Sequence, residues 1–83
     1  MGTFPIDEYG NPVDSLKKFI VYNGDNQAEY VCEAKPGSSK SDAVWRIFKI
    51  VYDGNGNATD IQWANGTKSF DKVANDYASY NYS

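Results

Sequence analysis

Histidine is absent from the chain, and cysteine occurs once, at Cys32. The first absence excludes His-based catalytic triads, imidazole general bases and Cys/His zinc sites. The second excludes an internal disulfide. Apolar runs are also short. The longest, Phe19-Ile-Val-Tyr22, has four residues, far below the length of a membrane-spanning helix. Basic clusters are missing too: Lys17 and Lys18 are the only adjacent pair, and eight Lys and Arg stand against eleven Asp and Glu. Nucleic-acid binders draw affinity from clustered phosphate contacts, so nucleic acid is not an expected partner. The first residues show no basic segment followed by an apolar one, so no secretory signal is expected.

What is present is a strand-and-turn composition. Aromatic residues make up 16% of the 83 residues, seven of them Tyr. Runs of Val, Ile, Phe and Tyr alternate with Gly/Asn clusters at 10–12, 23–26, 36–39, 53–57 and 65–66. A chain of this length holds one domain.

The clearest unit is a hairpin over 43–64. With Asn55-Gly56 at the centre of a two-residue type I′ turn, Tyr52 faces Thr59, Ile50 faces Ile61 and Phe48 faces Trp63. A slip by one residue would set Ile50 against a polar residue, so the pattern fixes the pairing. A second hairpin is expected around 23–26. Placing Tyr22 opposite Gln27 sets Val21 against Ala28 and Phe19 against Tyr30, with Cys32 further along that face and Glu29 and Glu33 toward water.

The strand over 44–52 is apolar on both faces. Val44, Phe48, Ile50 and Tyr52 lie on one side, Trp45, Ile47 and Val51 on the other. The Phe48–Trp63 side is expected to be core. The Trp45, Ile47 and Val51 side is then the candidate assembly interface, because so short a chain has little left to cover it. In the tail, Phe70, Val73, Ala74 and Tyr77 recur at helical spacing behind Ser69, which predicts a short amphipathic helix or turn. Tyr80 and Tyr82 alternate as in a terminal strand. Residues 1–16, with Pro5 and Pro12, read as an extended arm, and 17–83 as the β-rich domain. The fold class expected is mainly β: a small antiparallel sandwich or partly open barrel of four or five strands with a short C-terminal helix or turn.

Candidate chemistry is thin. Asp53–Asp60 carries oxygen ligands at alternate positions, but a calcium loop of the EF-hand type needs Gly and Glu where Ala58 and Ala64 stand. The hairpin turn accounts for the same residues. Cys32 lies on an apolar strand face with no histidine to activate it, and Ser38, Ser39 and Ser41 beside Lys40 read as loop residues. No catalytic residue, metal or cofactor is expected, and the chain reads as a non-enzyme.

A resemblance accompanies these patterns. The stretch Ala34–Ile50 with its Pro-Gly loop and Trp-x-Ile-x-x-Ile strand, the turn Tyr52–Asn57, Trp63–Gly66, and the closing Phe70-Asp-Lys-Val73 resemble a group of very short proteins encoded among the structural genes of tailed bacteriophages. The opening Phe4–Val13 is similar to the start of small phage head, neck and tail components. The resemblance covers residues 30–83 well and the first third loosely, and it transfers no functional residue. It implies a virion protein made in the host cytoplasm. Such a protein is a minor head, neck or tail component whose partners are itself, as a homo-oligomer, or a larger virion protein. Two alternatives remain open: a host-surface or glycan-binding module of a tail fibre, and a small inhibitor of a host protein.

Overall fold

A computed structural model of the chain describes residues 16–83. The fold is mainly β and antiparallel, as expected, with five strands in one open sheet and a short C-terminal 3₁₀ helix. The strands are β1 (Lys17–Tyr22), β2 (Ala28–Ala34), β3 (Ala43–Tyr52), β4 (Ala58–Trp63) and β5 (Lys72–Val73); the 3₁₀ helix is Ala74–Ser79. The spatial order is β1-β2-β3-β4, with β5 pairing against β3. The expected arm at 1–16 lies, except for its final residue, outside the described residues.

The hairpin of β3 and β4 pairs Phe48 with Trp63 and Ile50 with Ile61, as the apolar pattern requires. Tyr52, however, pairs with Ala58 instead of Thr59, after a bulge at Val51/Tyr52. The cause is the turn. Asp53 N–H donates to the Asn57 carbonyl (2.9 Å) and Gly56 N–H to the Asp53 carbonyl (3.2 Å), which makes a three-residue loop rather than a two-residue type I′ turn. Gly56 takes the left-handed position at φ +82°, open to glycine without a Cβ clash.

The hairpin of β1 and β2 closes in the same way. Asn23 N–H donates to the Gln27 carbonyl (2.9 Å), Asn26 N–H to the Asn23 carbonyl (3.1 Å), and Asn26 is left-handed at φ 60°. Here too a bulge precedes the turn, at Val21/Tyr22, and it moves the pairing: Phe19 meets Cys32 and Val21 meets Tyr30. The expected register was offset by two residues, which preserves the faces while changing the partners.

One face of the sheet carries the core. Phe19, Cys32, Ala34, Trp45, Ile47 and Ala64 share it, and Ala74 closes over them from the 3₁₀ helix. Cys32, Ala34, Ala64 and Ala74 are small, so the floor they form lets aromatic rings come close to the backbone. Tyr77, Tyr80 and Tyr82 pack onto that floor. Tyr30 sits between two of them, 5.0 Å from the Tyr77 ring and 5.3 Å from that of Tyr82. The segment after the helix bridges back to β4: Ser83 and Trp63 exchange backbone hydrogen bonds of 2.9 and 3.2 Å, and Asn65 N–H donates to Asn81. Where the alternation of Tyr80 and Tyr82 suggested a terminal strand, the structure has a single antiparallel bridge, Ala64 to Tyr82.

The tail helix is shorter and later than the spacing predicts. Lys72 and Val73 are strand, Phe70 is largely exposed, and the helical turns begin at Ala74. Pairing of Ala43 and Trp45 with Val73 and Lys72 claims the backbone that a helix from Ser69 would have used.

Candidate interaction surface

The structure inverts the two faces of β3. Trp45 and Ile47, expected to face a second subunit, have no exposed surface within a single chain. The indole Nε1 of Trp45 donates to the Ser39 carbonyl at 2.9 Å, which ties the β2–β3 loop to the core. Val51, further along that side, is half-buried. Residues 74–83 supply the cover that the chain seemed too short to afford. Phe48 and Trp63, expected to be core, are half-buried on the opposite face, with ring centroids 5.1 Å apart.

That opposite face has an ordered pattern of its own. Cross-strand partners place Ile20, Val31, Phe48 and Trp63 in one row across β1, β2, β3 and β4. A neighbouring row is charged: Lys18, Glu33 and Arg46. Glu33 was expected to point into water. It is 9% exposed, and its carboxylate lies 2.8 Å from Arg46 Nε and 3.4 Å from Lys18 Nζ. The Arg46 guanidinium also lies over Phe70 (4.9 Å) and Trp63 (5.8 Å). On the far side of the apolar row, Ile50 pairs with Ile61, which is 54% exposed. Ile20, Val44 and Phe70 are also exposed. The result is an apolar band flanked by an ion-paired row, a pattern suited to protein contact.

Reactive groups lie elsewhere. Cys32 is fully buried, and burial pushes its thiol up to about 11, partly offset by Lys40. At neutral pH it is a thiol and a poor nucleophile. Burial also pushes the Tyr82 hydroxyl above the usual tyrosine range, with smaller contributions from Cys32 and neighbouring tyrosines; the hydroxyl donates to the Tyr77 carbonyl. Asp53 moves the other way. Backbone N–H donors from Asn57 and Asn55 hold its carboxyl below the usual value. This carboxylate is a turn cap: Oδ1 accepts from Asn55 and Asn57, both at 2.9 Å.

A polar cleft of ≈ 330 Å³ opens between the two hairpin tips, lined by Asn23, Asp25, Glu29 and Asp53 among others. Among the described residues no group of acidic or cysteine side chains is arranged to hold a metal ion. No helix among them is long and apolar enough to cross a membrane. Comparison with protein-family models, curated proteins and solved structures finds no match to this chain.

Sequence reasoning identified the members of each face of β3 but assigned the cover to the wrong one. The charged row escaped it because Lys18, Glu33 and Arg46 are far apart in the chain and meet only through the pairing of three strands.

Proposed function

We propose that this chain is a non-enzymatic structural protein of a tailed-phage particle. It serves there as a minor head, neck or tail component acting through protein–protein contacts with copies of itself or with a larger virion protein. The observation that supports this reading is the apolar row Ile20–Val31–Phe48–Trp63, continued by Ile50 and Ile61, in which Ile20 and Ile61 are exposed and Phe48, Ile50 and Trp63 half-buried while Val31 is buried. Burying such a face stabilises an assembly by roughly 25 cal/mol per Å² of apolar surface, less the cost of association. The resemblance of Ala34–Val73 to short phage structural proteins supports the same reading.

Mass spectrometry of purified particles tests it. The expected result is the wild-type chain in particles and a folded Ile20→Lys, Ile61→Lys variant excluded from them. Recovery of the wild-type chain solely with a host protein would replace this reading by the inhibitor alternative. Particle-bound chain that retains glycans through its exposed aromatic side chains would favour the fibre alternative.

A further inference from the structure

The two hairpins are a repeat. Ile20-Val-Tyr-Asn-Gly-Asp-Asn-Gln-Ala28 and Ile50-Val-Tyr-Asp-Gly-Asn-Gly-Asn-Ala58 share Ile, Val, Tyr, Gly and Ala at the same positions. The likeness extends to hydrogen bonds. Asn23 Oδ1 accepts from Asp25 (2.9 Å) and Gln27 (3.1 Å) as Asp53 Oδ1 accepts from Asn55 and Asn57. The bulges at Val21/Tyr22 and Val51/Tyr52 also correspond.

Two equivalent hairpins meet at the β2–β3 seam. There the Tyr52 hydroxyl donates to the Ala28 carbonyl at 2.6 Å and Gln27 Nε2 to the Gly56 carbonyl at 3.3 Å. The strands pair Tyr30 with Lys49, Val31 with Phe48 and Cys32 with Ile47. Each hairpin therefore carries one half of the joint on each edge. Tyr52 is half-buried in the seam, while its counterpart Tyr22, on the outer edge of β1, is 59% exposed. Ala58, the counterpart of Ala28, is exposed on β4.

We propose that copies of this chain associate head to tail, the outer edge of β4 in one copy receiving β1 of the next, in a joint that repeats the β2–β3 seam. Tyr22 of the incoming copy donates to the Ala58 carbonyl, as Tyr52 does to Ala28. The same register sets Phe19 opposite Asp60, Lys18 opposite Ile61 and Lys17 opposite Gln62. Lys17, whose Nζ donates to the Ser38 carbonyl of its own chain at 2.9 Å, then lies diagonal to Asp60 on one face, a single opposite-charge pair across the joint. From Trp63 onward the β4 edge is held by residues 81–83, which leaves Ala58–Gln62 for the incoming strand. The Asp60 carboxylate, which accepts from Ile61 N–H at 2.9 Å, blunts that edge and swings away on pairing. A joint between unlike edges leaves one of each at the ends, so association continues into a ring or a filament.

The proposal deepens the assembly reading and rests on it for the premise that copies of the chain meet. Its test uses the purified chain alone. Sedimentation across a concentration series should show mass rising past the dimer. Tyr22→Phe should weaken association about three- to tenfold, the loss of one hydrogen bond, with unchanged circular dichroism. Lys17→Cys and Gln62→Cys variants, mixed and oxidised, should form a disulfide-linked heterodimer far faster than either gives a homodimer. A monomer at every concentration overturns the proposal, as does cross-linking no faster in the mixture than in either variant alone. A dimer that saturates also overturns it and points to pairing through the Phe48–Trp63 face. Chain that polymerises but is missing from particles refutes the virion reading and leaves the joint standing.

Discussion

The Trp45 indole donates to the carbonyl of Ser39 at 2.9 Å, so the largest fully buried side chain also anchors the loop entering its own strand. Packing and loop position are thereby coupled. Trp45→Phe keeps most of the apolar volume but removes the indole hydrogen bond, leaving the Ser39 carbonyl with the Asp42 N–H alone (3.0 Å), and leaves a gap. A loss of about 1–3 kcal/mol is expected, read from the urea midpoint. Trp45→Glu with Ile47→Lys should unfold the chain outright, since two charges would be placed in a core without partners. Retention of a cooperative transition in that double variant would contradict the face assignment.

Strand alternation revealed which residues of β3 share a side, because side chains repeat every two positions. It could not reveal which side is covered, since Phe48 and Ile50 are as apolar as Trp45 and Ile47. The cover comes from Tyr77, Tyr80 and Tyr82, whose spacing reads as helix followed by strand but whose docking depends on the small floor of Cys32, Ala34 and Ala64. The pairs Phe48–Trp63 and Ile50–Ile61 were readable because each lies several residues from the turn. Tyr52–Thr59 was not, because a bulge beside the turn alters the local count. The ion-paired row needed a three-strand register that one hairpin alone does not supply.

Asp53 should give stability an acid-sensitive component. Its folded-state pKa is depressed, so the contribution is present above the unfolded value of about 3.9 and is lost as pH falls through the folded value. Asp53→Asn retains an Oδ1 acceptor for Asn55 and Asn57, the arrangement Asn23 already uses in the first turn. That variant should keep its melting temperature near neutrality and fall less steeply toward acid. Melting curves from neutral to acidic pH check the slope.

Gly56 should resist substitution more than its exposure suggests. At φ +82° a Cβ is strained, and it would also stand 3.2 Å from Gln27 Nε2. Gly56→Val should cost about 1–2 kcal/mol. Asn26, at φ 60°, should accept Gly with a change of no more than about 0.5 kcal/mol in either direction. Paired thermal melts of the two variants measure the contrast.

Cys32 should be silent toward thiol reagents until the fold opens. It is fully buried and its thiol is held protonated. Modification in native buffer should therefore proceed at the rate of opening and accelerate sharply through the urea transition. Rapid labelling of the folded chain would show that the tyrosine cover is loose.

Glu33→Gln should leave Arg46 and Lys18 adjacent without the carboxylate between them. Glu33 is nearly buried while its partners are about one-third exposed, so the loss should be about 1–2 kcal/mol, lessened by salt. Denaturation at low and high ionic strength separates the Coulombic part from the lost packing.

Residues 74–83 lie after every strand of the main sheet, yet they roof the face that holds Trp45 and Ile47. A chain cut before residue 74 would keep the sequence of every strand of the main sheet and lose its roof, so Trp45 and Ile47 would face water as an aggregation-prone surface.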